Sequence, residues 1–193
     1  LLADWSAATT GIVWQNDATQ TQVANGNTVS GFETLSLTLG SGNDTVTNLL
    51  QNSDDYIDGG AGNDSLDGGG GTDHLRGGAG DDTVLGGAGE DYNLFGGTGN
   101  DSMDGGNGSD QLYGEDGNDT LVTSDGDYLD GGNGNDTLIG SSGSDTQMYG
   151  QAGSDVIRAG AGNDIVSGGT GADTFVFDSL VGSDTVTDFV KAS

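Results

Sequence analysis

An all-β solenoid of short stacked strands is the fold this sequence predicts, on three observations. A nine-residue period runs through thirteen consecutive copies beginning at Gly59, Gly68, Gly77, Gly86, Gly96, Gly105, Gly114, Thr123, Gly131, Gly140, Gly150, Ala159 and Gly168. Three positions hold their phase throughout: glycine at the fourth, aspartate at the sixth and an apolar residue at the eighth, from Leu66 to Phe175. The 40 glycines, with no proline, fall mainly in the first four positions, where the chain must turn.

Charge alone argues the other way. The 193 residues carry 31 Asp plus Glu against 3 Lys plus Arg, a net charge of -28, and 28 of the acids are Asp. Low hydrophobicity with high net charge is the composition of a disordered chain. The fixed register overturns that reading, because scattered acids do not keep one phase. Such a field repels nucleic acid and anionic membrane surfaces and attracts cations. There is no cysteine, hence neither a disulfide framework nor a thiolate metal site. No apolar run approaches 18 residues, so no membrane span is expected. With no starting Met and no basic leader, the chain reads like an excised piece of something longer.

Each element has its own reason. Over residues 1–38, "GFETLSLTL" alternates apolar residues and "VANGNTVS" carries an Asn-Gly hairpin signal. With Trp5, Trp14 and Phe32, this stretch is expected to cap the open end of the solenoid. Residues 39–58 are degenerate repeats in a shifted phase, with Asp44 and Asp55 at the aspartate position. Residues 59–176 are the thirteen regular copies. Residues 177–193 follow an unusually apolar start and are expected to cap the far end.

Within a copy, three residues such as Ser65-Leu66-Asp67 form a strand whose middle side chain points inward. The preceding six form a turn, in which glycines at positions one, two and four permit positive φ and close backbone approach. Two half-turns make a coil of about eighteen residues, so that alternate copies face opposite edges and stack on copies of their own parity. One buried aliphatic per nine ordered residues is a poor exchange against backbone entropy. Stacked like charges make it poorer, and a bound cation reverses that sign.

The tandem GGxGxD copies, with an aliphatic residue two places later, resemble the RTX (repeat-in-toxin) calcium-binding nonapeptide repeats. The resemblance implies a right-handed parallel β-roll with calcium in the turns and export from a Gram-negative bacterium by the type I secretion machinery. The ligands it implies are Asp64, Asp73, Asp82, Asp91, Asp101, Asp110, Asp119, Asp127, Asp136, Asp145, Asp155, Asp164 and Asp173, with Asp44 and Asp55 in the degenerate copies. Calcium suits such turns because it accepts six to eight oxygens in loose geometry, mixing carboxylates with carbonyls. If each ion lies between a copy and the next of the same parity, thirteen copies offer eleven gaps.

The register breaks fall on one edge. The copies at Gly86 and Gly140 have ten residues and that at Thr123 has eight; these are copies four, eight and ten. One regular and one distorted ladder are therefore expected, with weak or missing sites near Ser124 and Ser141.

Catalysis finds no support. His74 is the only histidine and cannot form a paired-His zinc site, and no serine sits in a nucleophile elbow. Ice binding needs uniform rows, whereas the fifth position runs Asn63, Thr72, Asp81, Glu90, Asn100, Ser109. The expected function is a secreted, non-enzymatic calcium-binding module that folds outside the cell and supports the secretion and stability of a larger protein. The alternatives are a calcium-rigidified segment of a bacterial adhesin or surface-layer protein, and the C-terminal tail of a secreted enzyme.

Overall fold

The computed structural model describes residues 2–4, 13–16, 22–24, 27–29, 34–48, 52–124, 126–145, 147–177 and 182–189, with side chains from residue 34 onward except at Asn48. Trp5 and Phe32 lie outside the described residues, as does the side chain of Trp14. The described residues contain strands, turns and bends but no helix.

Two parallel sheets face each other across a single column of aliphatic side chains. The first sheet runs through Leu2–Asp4, Ser36–Thr38, Tyr56–Ala61, His74–Ala79, Leu94–Thr98, Gln111–Asp116, Tyr128–Asn133, Gln147–Gly153, Ile165–Ser167 and Thr185–Val186. The second runs through Val13–Asn16, Thr45–Asn48, Ser65–Gly70, Thr83–Ala88, Ser102–Asn107, Thr120–Val122, Thr137–Ile139, Val156–Arg158 and Thr174–Val176. Consecutive strands alternate between sheets, and each pairs with a strand one coil away. In the second sheet Ser65 pairs with Thr83 and Leu66 with Val84, a step of eighteen residues. This is the parallel β-roll expected from the period.

The eighth-position side chains are the core. Leu66, Leu75, Val84, Leu94, Met103, Leu112, Leu121, Leu129, Leu138, Met148, Ile157 and Val166 are buried, with Leu35, Leu37, Leu39, Val46 and Ile57 continuing the column toward the N-terminus. Strands are often longer than the three residues expected. Ser65–Gly70 and His74–Ala79 span six because the first three positions of the next copy also pair across coils, as in Gly60 with Gly78.

At the N-terminal end, Leu2–Asp4 pairs with Ser36–Thr38 and Val13–Asn16 with Thr45–Asn48, both parallel, so the two sheets extend before the repeats begin. Gln22–Ala24 and Asn27–Val29 pair antiparallel across the Asn25-Gly26 position, the hairpin that dipeptide predicts. On the outer face of the first sheet Phe95, Tyr113, Tyr128 and Tyr149 form a row with centroids 5.1, 5.4 and 5.8 Å apart, the first pair stacked and the other two tilted.

Candidate metal centre

The glycines serve two different ends. At the second position Gly60, Gly69, Gly78, Gly87 and Gly97 have φ between 91° and 121°, and the fourth-position glycines from Gly62 onward are mostly beyond 117°. L side chains rarely adopt these angles, so glycine is required there by conformation. Glu115 and Gln151 occupy the second position at φ 71° and 72°. First-position glycines such as Gly59, Gly77 and Gly114 have no positive φ, contrary to the sequence expectation. They are needed for space. A Cβ on Gly77 would lie 2.7 Å from the Gly96 carbonyl oxygen and against Oδ2 of Asp82. The same meeting of own-copy carboxylate and next-coil carbonyl occurs at Gly59, Gly68, Gly86, Gly96, Gly114, Gly140 and Gly150.

The sixth-position aspartates form ladders along the roll. Fourteen of the fifteen candidate ligands are buried and Asp173 is half-buried. Along most of each ladder Oδ1 accepts the backbone N–H of the residue one coil earlier. On the odd edge this links Asp44, Asp64, Asp82, Asp101, Asp119, Asp136, Asp155 and Asp173 without interruption, at 2.7 to 3.1 Å. On the even edge it runs from Leu35 through Asp55, Asp73, Asp91 and Asp110 to Asp127, and again from Asp145 through Asp164 to Asp184. Asp44 and Asp55 thus take the same place as their regular counterparts.

The second oxygen is the telling one. Oδ2 of Asp64, Asp73, Asp82, Asp91, Asp101, Asp110, Asp119, Asp136, Asp155 and Asp164 is buried without a hydrogen-bond partner. A buried polar atom left unpaired costs about 1–3 kcal/mol, more when charged. Burial, followed by repulsion from stacked carboxylates, pushes the carboxyls of Asp73, Asp82, Asp110 and Asp119 up to about 7, against the lowering effect of their ladder hydrogen bonds. Asp64 and Asp136 rise to about 6 for the same first reason.

This donor set fits calcium. The sixth-position carboxylate lies beside a peptide carbonyl of the next coil, as Asp82 Oδ2 and the Gly96 oxygen do around Gly77. Zinc prefers nitrogen and sulfur, and magnesium a tight octahedron that keeps its waters; calcium accepts mixed oxygens.

Two of the three irregular copies, those at Thr123 and Gly140, depart from the regular turn geometry. Strands leading into the odd turns keep the full length from Tyr56–Ala61 to Gln147–Gly153, apart from the five-residue Leu94–Thr98, whereas those leading into even turns shorten to Thr120–Val122, Thr137–Ile139 and Val156–Arg158. Among thirteen second positions only Ser124 and Ser141 lack positive φ, and among fourth positions only Gly143 does. Ser124 Oγ donates to the Gly106 carbonyl, and Ser141 N–H donates to Oδ2 of Asp145 at 3.0 Å. The longer copy at Gly86 leaves its turn intact: its one extra residue falls after Asp91, in Tyr92-Asn93, with Asn93 at φ 60°.

Two further features join the pattern. Gly182 has φ 117° and bridges Gly162, Asp184 Oδ1 accepts Asp164 N–H at 3.3 Å, and Val186 pairs with Val166. Residues 182–187 therefore build most of a fourteenth copy inside the stretch expected to be a cap; Gly-x-Asp-x-Val was its signal. The fifth position, mixed when read along the chain, separates by edge. On the odd side Asn43, Asn63, Asn100, Asn118 and Asn135, with Asp81, each accept a backbone N–H from the next coil through a side-chain oxygen. His74 is half-buried on the outer face of the first sheet, with Nδ1 3.2 Å from Asn93 Nδ2.

A parallel β-roll with one buried carboxylate per turn, aligned in ladders and short of partners, defines a cation-binding solenoid. A family model of the RTX calcium-binding nonapeptide repeat (4 copies) matches residues 51–75, 67–92, 93–121, 122–146 and 147–175, and the chain belongs to this family. No curated protein matches the chain. Its repeats bind calcium in the family, and no described helix is long and apolar enough to cross a membrane.

Proposed function

We propose that this chain is a calcium-operated folding module of a larger protein exported from a Gram-negative bacterium by type I secretion. The observation that carries the reading is the file of ten buried Oδ2 atoms without partners. The fifteen aspartates from Asp44 to Asp173 are the proposed ligands, with peptide carbonyls completing each turn. A bound calcium ion supplies the positive charge and oxygen coordination that the turns lack. Eleven divalent ions would offset about 22 of the 28 excess negative charges.

Without the ion, the aspartates oppose their own burial and the chain favours the expanded state that suits a narrow channel. Where calcium is millimolar, binding energy becomes folding energy. Folding outside the cell then opposes backward sliding. The ladders need closed ends, and residues 1–38 and 177–193 are proposed to close them. The module acts by folding, without catalysis.

Small-angle scattering tests this reading. In chelator the radius of gyration is expected near the value of an unfolded chain of this length, about 47 Å. Millimolar calcium should bring it below half of that. An equally compact chain in chelator would refute the export mechanism.

A further inference from the structure

The turns are not equivalent, and Thr123 marks the difference. At the first position of regular copies glycine leaves a space where the copy's own aspartate oxygen and a carbonyl of the next coil converge, as at Gly77 and Gly114. The backbone there has ordinary φ, so space and not conformation limits the side chain; apart from Thr123 the one non-glycine there is Ala159, with a single methyl. Thr123 occupies that position in the eighth copy, 7% exposed, and puts a branched, buried side chain where the regular copies have glycine.

Three neighbouring features agree. This turn is one residue short, since Asp127 directly follows Gly126. Ser124 lacks the positive φ of a second position, and its hydroxyl donates to the Gly106 carbonyl one coil earlier. Asp127 nevertheless keeps its structural link, Oδ1 accepting Asp110 N–H at 2.6 Å. A hydroxyl donor and a packed side chain thus replace part of what a cation does in a regular turn.

We propose that the turn of Thr123 is closed by protein atoms and takes no calcium ion, so that the even edge carries an ion-free step while the odd edge fills along its length. This rests on the calcium reading and narrows it, because an ion-free turn removes Asp127 from the ligand set and leaves it only its ladder hydrogen bond. The geometry also states why: Thr123 blocks the space, and glycine would reopen it.

The test counts ions bound per chain, by calorimetry and by elemental analysis after exhaustive dialysis, for the unaltered chain and two reciprocal variants. Thr123→Gly is expected to bind one more calcium ion. Gly114→Thr, which installs the same block on the odd edge, is expected to bind at least one fewer. An unchanged count in Thr123→Gly overturns the proposal. So does a lowered one, which would make the Thr123 hydroxyl, buried without a hydrogen-bond partner, an ion ligand in its own right. If Gly114→Thr fails to fold, the comparison of Thr123→Gly with the unaltered chain decides alone. An unaltered chain that binds no calcium would overturn the calcium reading itself, a result distinct from either count.

Discussion

Asp119→Ala is expected to remove at least one calcium ion, raise the calcium concentration at half-folding several-fold, and cost about 3 kcal/mol at saturating calcium. Asp119 sits mid-way along the unbroken odd ladder. Its Oδ1 accepts Asp101 N–H, its own N–H is held by Asp136, and its carbonyl accepts Thr137 N–H. Alanine leaves the buried Asp101 N–H unsatisfied, worth about 1–3 kcal/mol, and removes the carboxylate proposed to hold the ion. Asp119→Asn separates the two contributions, because the amide oxygen still accepts from Asp101 while the charge is gone. It should lose the ion and keep most of the ladder. Asp116→Asn, at an exposed third position of the same copy, should change neither. Calcium titrations of the three variants, followed by circular dichroism, check the ordering; equal behaviour of Asp119→Asn and the unaltered chain would remove Asp119 from the ligand set.

The second large effect is a pH dependence whose sign reverses with calcium. In the metal-free fold burial raises Asp73, Asp82, Asp110 and Asp119 to about 7 and Asp64, Asp136 and Asp164 to about 6. The same groups titrate near 3.9 in an unfolded chain. A group whose folded value is raised stabilises the fold fully below its unfolded value, and that stability is lost as pH rises through the folded value. In chelator, therefore, β structure should grow as pH falls from about 7 to about 4. With calcium present the carboxylates must be ionised to bind, so acidification should weaken affinity and release ions. Circular dichroism against pH, with chelator and with millimolar calcium, tests both signs. Loss of β structure on acidifying the chelated chain would contradict the buried-carboxyl account.

Much of this architecture was legible because the repeat is strict. A fixed sixth-position aspartate and eighth-position aliphatic left one way to stack the coils, and the parity of the length changes assigned every irregularity to one edge. What the sequence hid was local. Nothing in a run of Gly-Gly distinguishes the glycine needed for positive φ from its neighbour needed for space; only the approach of Gly96 to Gly77 shows it. The copy around Asp184 escaped because the three residues before Gly182 include no glycine, so the period fades although Gly182, Asp184 and Val186 continue the pairing. The asparagine row of the odd edge appeared mixed because consecutive copies belong to opposite edges. The insertion after Asp91 proved harmless since it follows the turn, whereas the deletion before Asp127 lies within one.

The central claim is that calcium completes the turns and thereby folds the chain. A calcium titration of the metal-stripped protein at neutral pH, followed by far-ultraviolet circular dichroism with magnesium as the control, tests it most directly. The account predicts a cooperative rise in β signal with calcium and little with magnesium. Full β structure in chelator at neutral pH, or an equal response to magnesium, would contradict it.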